Sequence, residues 1–468
     1  MGRKRKPKLI PEVLLTGIAD KGRSVGRDAE GRVLFVEGAV PGDVADVLVY
    51  RKRKGYFLGK AQHFHRRSTD RVQPFCSHFG LCGGCKWQHL SYPAQLRHKQ
   101  QQVEDAMQRI AQVEVGEFRP ILGSEHQQYY RNKLEFTFSN KRWLDRDELH
   151  TEVSNEVPVL GFHPPGAFDK VVNIDHCYLQ HGPSNALRNG IREIALDQGL
   201  TFYDPRARVG FLRQLMLRTT TLDQSMALLC FSTEDEDRRD HFLQAIRDRF
   251  PDLTTITYCI NTKWNDSMAD LDMHIWDGPG YVEEALGEVR FRIGPKSFFQ
   301  TNTRQAKKLY DIALDFADLQ GDEVVYDLYT GIGSIALYAA DRCGRVVGIE
   351  EIEAAIEDAR INADCNGIQN AVFYAGDVKD ILSAEFAREH GQPDVLITDP
   401  PRAGMHPDVI QLLLELAPPR LVYVSCNPAT QARDIRLLAE HYRVTHMQPV
   451  DMFPHTHHVE NVAALERI

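Results

Sequence analysis

The 468 residues hold no apolar run of about 18 residues that would span a bilayer, so the chain reads as soluble. No apolar stretch follows the basic start MGRKRKPK, which therefore lacks the form of a secretory signal, and a cytoplasmic location is expected. Beyond those first residues there is no low-complexity tract, and no internal repeat. Cysteine is sparse. The nine are irregularly spaced and do not make the framework of a secreted disulfide protein, so any that cluster point to metal binding or catalysis. Positive charge is also short: 56 Lys and Arg against 65 Asp and Glu leave a net charge of -9, which by itself argues against a nucleic-acid partner.

That shortage is uneven. Residues 1–70 carry 16 Lys or Arg and 8 Asp or Glu, a balance of +8, leaving -17 for residues 71–468. A basic front on an acidic body suits a protein in which one domain holds a polyanion and another does chemistry. The length suggests two to four domains of roughly 100 to 200 residues each.

Residues 9–67 alternate apolar and polar positions in short runs parted by glycine (VLLTGIA, RVLFVEG, DVADVLVY, GYFLGKAQ), the pattern of a small antiparallel barrel. RKRKGYF, residues 51–57, sets cations beside aromatics, as a surface for a nucleic-acid backbone with stacked bases requires. Residues 68–290 open with a Cys-rich segment and a polar helical stretch at 93–111. They then turn mixed and strand-rich, with a topology that periodicity does not assign. From 291 to 468 strands alternate with helices, which implies an α/β domain with a parallel sheet and ligands at the carboxyl ends of its strands.

Four strand ends in that last region carry chemistry. VVYDLYTGIGSIA ends a strand at Asp327 and opens a helix after Gly333, so backbone amides at the helix start are expected to face a ligand, with Gly331 and Gly333 permitting close approach. Glu350, closing VVGIE, is placed to accept hydrogen bonds from a ribose. The loop also fits a dinucleotide fingerprint, so a nicotinamide enzyme is one reading. The acid ahead of the glycines and the later DPPR (399–402) point instead to a class I methyltransferase. Cys426 in SCNP follows the strand LVYV and precedes a helix, whose positive end is expected to favour the thiolate. HTHH, 455–458, fits no zinc spacing. Cys76, Cys82 and Cys85 form C-x5-C-x2-C among glycines 80, 83 and 84, dense enough for a metal centre, with zinc completed by His78 or His89 or an iron-sulfur cluster both open.

In order, SFFQTN (297–302), DLYTGIGS (327–334), DPPR, SCNP and HHVE (457–460) resemble the RNA uracil-5-methyltransferase family. GRVLFVEGAVPGD (31–43) resembles a TRAM domain, an OB-like RNA-binding barrel. With the cysteines, the whole chain is similar to the RlmD/RumA branch that acts on 23S ribosomal RNA. The resemblance implies S-adenosyl-L-methionine held by Gln300, Tyr329, Gly331, Gly333, Ser334, Glu350, Asp377 and Asp399. It implies Cys426 as nucleophile, Glu460 as base, and Asp399 also gripping the target uracil. Cys177 in DHCYL is implied as the fourth ligand of a [4Fe-4S] cluster. An RNA substrate and a monomer without membrane contact follow. The stretch 141–158 is longer and more charged than the family connection. Two other readings stand beside this one: a transfer RNA uracil-5-methyltransferase, and a noncatalytic RNA-binding iron-sulfur protein.

Overall fold

Strict alternation near the start of the chain produces a closed surface. The protein, a computed structural model, is described over residues 8–145 and 147–468; the basic run at 1–7 and Arg146 of the charged stretch lie outside the described residues. Strands β1 (Lys8–Ile18), β2 (Ser24–Arg27), β3 (Val33–Glu37), β4 (Val44–Arg53) and β5 (Tyr56–Arg66) form a closed barrel in the order β1-β2-β3-β5-β4. Every second side chain of β4, Ala45, Val47 and Val49, turns inward to meet Leu15, Leu34, Val36 and Phe57. The RKRKGYF surface is therefore only half as expected. The cations at 51–54 are exposed, but Phe57 is buried in the barrel with Lys52 and Arg32 lying over its ring, so it offers no face to a base.

β6 (Val115–Phe118) follows the helix Tyr92–Ala106. Beyond it, β7 (Lys133–Ser139), β8 (Val159–Phe162), β9 (Val172–Asn173), β10 (Leu212–Thr219), β11 (Ser225–Phe231), β12 (Thr255–Ile260) and β13 (His274–Asp277) make a seven-stranded sheet ordered β13-β12-β11-β10-β7-β8-β9. One face of β10 and β11 packs Leu215, Leu217, Ala227 and Leu229 against the helices Ser184–Asp197 and Glu236–Arg249. The other packs Met216, Met226 and Leu228 against the core of the C-terminal domain. Buried on both sides, these strands lose alternation, which is why periodicity left their topology unassigned.

A hairpin, β14 (Val282–Leu286) with β15 (Val289–Ile293), leads into the last sheet. That sheet holds β16 (Val324–Leu328), β17 (Arg345–Glu350), β18 (Ala371–Ala375), β19 (Val395–Thr398), β20 (Arg420–Ser425), β21 (Tyr442–Val450) and β22 (Glu460–Arg467) in the order β18-β17-β16-β19-β20-β22-β21-β6. β16 to β20 are parallel as expected, but β22 is inserted antiparallel between β20 and β21. Residues 68–290 thus do not fold as one unit. β6 joins the C-terminal sheet, Val103 and Ala106 of the preceding helix pack into its core, and β14 and β15 bury Val282, Leu286, Phe291 and Ile293 there.

Candidate active site

The strand order reverses between β16 and β19, and the crevice beyond their carboxyl ends is where such sheets bind ligands. DPPR leaves β19 and SCNP leaves β20 at this edge. The antiparallel course of β22 brings its first residue to the same place: Ser425 pairs with Asn461, which sets Glu460 beside Cys426. Asn427 caps the helix Pro428–Leu438 by accepting from the Ala429 amide at 3.2 Å, and donates through Nδ2 to the Arg402 carbonyl at 3.0 Å, tying the two motifs together. Asn461 donates to Gln431 of that helix at 2.7 Å, which fixes the start of β22.

Charge in this pocket runs against the sequence expectation for Cys426. Burial, then Glu460 and Asp399, push its thiol up to about 11, while Arg402 opposes them. The helix start does not prevail, because burial and then the nearby carboxyls act on the same sulfur. Burial, aided by Asp399 and opposed by Arg402, raises Glu460 well above the carboxylate range. Asp399 is pushed up to about 7 by burial and by Asp327. Asp327 is itself raised to about 7 by burial, against hydrogen bonds from Thr330 (2.5 Å) and the Ala336 amide (3.0 Å). Glu460 and Asp399 therefore act on the thiol and on each other, Asp327 acts on Asp399, and Arg402 acts on both Cys426 and Glu460.

Around the glycine loop, Gly331 has φ +56° with open space where a Cβ would stand, so its surface is free toward the crevice. Gly333 is also required by the packing. At φ +81° a Cβ there would press on Phe373 and Ala359, so glycine is needed at this turn whatever ligand its backbone faces. The amides expected to face a ligand are partly engaged: Gly331 donates to Glu350 at 3.1 Å and Ala336 to Asp327. Tyr329 follows β16 at φ +64°, and Ser334 lies 3.3 Å from the Tyr310 hydroxyl. Asp377 stands beyond β18, paired with Lys379, at the strand end next to Glu350. Gln300 is buried, and its carbonyl accepts from Asn132 at 2.9 Å.

Cys76, Cys82, Cys85 and Cys177 line one small cavity with Phe79, Phe162, Ile174 and Leu179, and all four are free. Burial raises each thiol. Of the nearby glycines, only Gly80 needs left-handed backbone, at φ +84°. Among the described residues no three His, Cys, Asp or Glu side chains converge on a single ion position. His89 faces the Ala39 carbonyl instead.

A family model described as tRNA (Uracil-5-)-methyltransferase matches residues 279–468, and a TRAM domain model matches residues 10–61. An uncharacterized RNA methyltransferase of Bacteroides thetaiotaomicron is 51% identical over 96% of this chain and 100% of its own length. Another, from Chlorobaculum tepidum, is 40% identical over 99% of this chain and 98% of its own. The solved Pyrococcus abyssi tRNA (uracil-54, C5)-methyltransferase in complex with S-adenosyl-L-homocysteine is 28% identical, covering 97% of this chain and 99% of that one, with a TM-score of 0.75. The chain belongs to the RNA uracil-5-methyltransferase family. As a member it is an S-adenosylmethionine-dependent enzyme acting on RNA.

What the sequence reading missed in this methyltransferase is how the Glu460 loop is held. Lys99 Nζ donates to Asp451 at 2.5 Å and to the Phe453 carbonyl at 3.1 Å, with both side chains of the ion pair fully buried. Gln95 accepts from the His455 amide at 2.8 Å, and the amides of Lys86 and Trp87 both donate to the His455 carbonyl. Trp87 Nε1 also donates to the Gly22 carbonyl of the barrel at 3.0 Å. The Cys-rich segment and the helix behind it thus clamp the loop that leads to Glu460. HTHH enters this clamp through the His455 backbone, and burial takes His455 down to about 4 and His458 down to about 3. Partners some 350 residues apart leave no local signal.

Proposed function

We propose that this methyltransferase modifies carbon 5 of a uridine in 23S ribosomal RNA through a covalent bond to Cys426. The convergence of the Cys426 thiol, Glu460 and Asp399 at one strand edge carries the reading. Carbon 5 of uracil is a weak nucleophile until a thiolate adds at carbon 6. The Cys426 thiol gives up its proton to solvent, its sulfur forms that bond as the carbon 5–carbon 6 double bond opens, and the displaced electron pair rests on the carbonyl oxygen as an enolate. Asp399, about half protonated at neutral pH, offers a hydrogen bond to the uracil edge. S-adenosyl-L-methionine supplies the methyl group to carbon 5. Glu460 as carboxylate then takes the carbon 5 proton and the carbon–sulfur bond breaks, returning the thiolate. A buried carboxylate that binds protons well suits a base for a carbon-bound proton.

Gln300, Tyr329, Gly331, Gly333, Ser334, Glu350, Asp377 and Asp399 are the residues that would hold the cofactor, and the open space over Gly331 fits a ligand there. The four cysteines around one cavity fit a [4Fe-4S] cluster, whose ligands stand apart around a cube rather than meeting at one ion. Such a cluster would fasten Cys177 to the segment that clamps the Glu460 loop. Anaerobically purified protein should carry about four irons, and zinc without iron would overturn this assignment. Transfer RNA is the second reading, favoured by the full-length likeness to the Pyrococcus abyssi tRNA enzyme. Since that likeness includes the barrel, the barrel does not decide between the two.

Mapping 5-methyluridine in ribosomal and transfer RNA from cells with and without this protein tests the substrate. Denaturing gels test the chemistry. Glu460→Gln should trap RNA on the protein, Cys426→Ala should neither trap nor methylate, and methylation by Cys426→Ala at the wild-type rate would refute the covalent route.

A further inference from the structure

Far along the central sheet from the thiol, a tryptophan stands almost wholly in water. Trp264 is 80% exposed, at the apex of the loop 261–266 that follows β12. The loop beneath it is not loose. Arg213, only 2% exposed, donates to the carbonyls of Asn261 (2.6 Å), Lys263 (2.8 Å) and Asn265 (3.1 Å), and to the Asp266 carboxylate (2.7 Å). A buried guanidinium is thus spent on fixing a loop whose outermost side chain packs on no core. The guanidinium of Arg208 lies 3.5 Å from the Trp264 ring centroid, stacked on one face.

Arg208 comes from the turn 204–209, itself held from below. The buried Asp204 accepts from the Arg206 amide (2.8 Å), the Ala207 amide (3.1 Å) and Lys141 Nζ (2.7 Å). Gly210 closes the turn at φ +116°, where a Cβ would lie 2.3 Å from the Phe202 carbonyl oxygen. The same turn sends Arg206 over Phe168, a ring 63% exposed, at 5.2 Å. Acids nearby are already matched: Asp169 with Arg206, Asp266 with Arg213, Asp270 with Lys263. Arg208 has no carboxylate partner among the described residues.

We infer that Arg208–Trp264 and Arg206–Phe168 form a stacking platform for unpaired nucleotides of the RNA substrate, outside the target uridine. Preorganised aromatic faces, each backed by a planar cation, match what single-stranded nucleic acid offers: a π-face on every base and a phosphate beside it. The chain beyond the loop runs onto the C-terminal domain. Its later residues Met268 and Leu271 pack on the C-terminal core, and Lys296, just ahead of SFFQTN, lies within electrostatic reach of Asp270.

The inference rests on RNA being the substrate, and the test separates the two. Full-length wild type, Trp264→Ala, Trp264→Phe and Arg208→Ala are titrated with the RNA that the wild type methylates, by anisotropy and by steady-state kinetics. Trp264→Ala should weaken binding about 5- to 100-fold, as loss of one stacked base does. The loss should fall in KM rather than kcat, and Trp264→Phe should recover most of it. Removing single flanking bases from the RNA should abolish the difference between wild type and Trp264→Ala at one position. Unchanged affinity in Trp264→Ala, with wild type binding and methylating normally, overturns the platform alone. Unchanged RNA affinity with loss of a protein complex in sedimentation also overturns it, assigning the patch to a protein partner. Wild type that does not bind RNA sinks the functional reading instead.

Discussion

Alkylation of Cys426 in the free enzyme separates the helix start from the carboxylates. The thiol is pushed from the ordinary 9.0 up to about 11, so at pH 8 its thiolate is roughly 100-fold scarcer than that of an ordinary cysteine. A thiolate of higher pKa is more nucleophilic, with a Brønsted slope of about 0.4 to 0.5, which returns about 6- to 10-fold. The net expectation is alkylation some 10- to 15-fold slower than for an ordinary thiol, with a rate still rising above pH 10. Peptide-resolved mass spectrometry after timed iodoacetamide pulses from pH 7 to 11 measures this, and exposed Cys365 in the same chain serves as the reference. Asp399→Asn and Glu460→Gln should both move the midpoint down, since each removes a carboxyl group that opposes the thiolate. A wild-type midpoint below 9 would refute the reasoning and return the advantage to the helix start. For the proposed covalent route this means that the Cys426 thiol has to lose its proton before it attacks.

Lys99→Met should destabilise the protein by about 3 to 5 kcal/mol, because it strands Asp451 without its buried partner; the double variant Lys99→Met/Asp451→Leu should recover much of this in denaturant unfolding, and a single variant as stable as wild type would contradict it. For Asp399 the folded pKa, about 7, lies above the ordinary 3.8, so the wild type loses stability as pH rises through that window while Asp399→Asn does not. The stability of Asp399→Asn relative to wild type should therefore grow between pH 4 and 8, by at most about 4 kcal/mol for a shift of roughly three units. A difference flat with pH in thermal or urea unfolding would count against it.

The strand-end motifs were legible because an α/β sheet writes its chemistry locally: Asp327, Glu350, Asp399 and Cys426 each follow an apolar run that is a strand in the structure. The barrel was legible for the same reason, since one face of each strand is wet and the alternation survives. Tertiary structure decided the rest. It buried β10 and β11 on both faces and erased their pattern. It assigned β6 and the helix Tyr92–Ala106 to a sheet formed hundreds of residues later. It set Glu460 beside Cys426 only through the antiparallel insertion of β22, and set Lys99 on Asp451 across the whole chain. The state of the nucleophile went the same way. A sequence shows the helix that follows a cysteine, but the desolvation and carboxyls that outweigh that helix come from elements distant in sequence and adjacent only once folded.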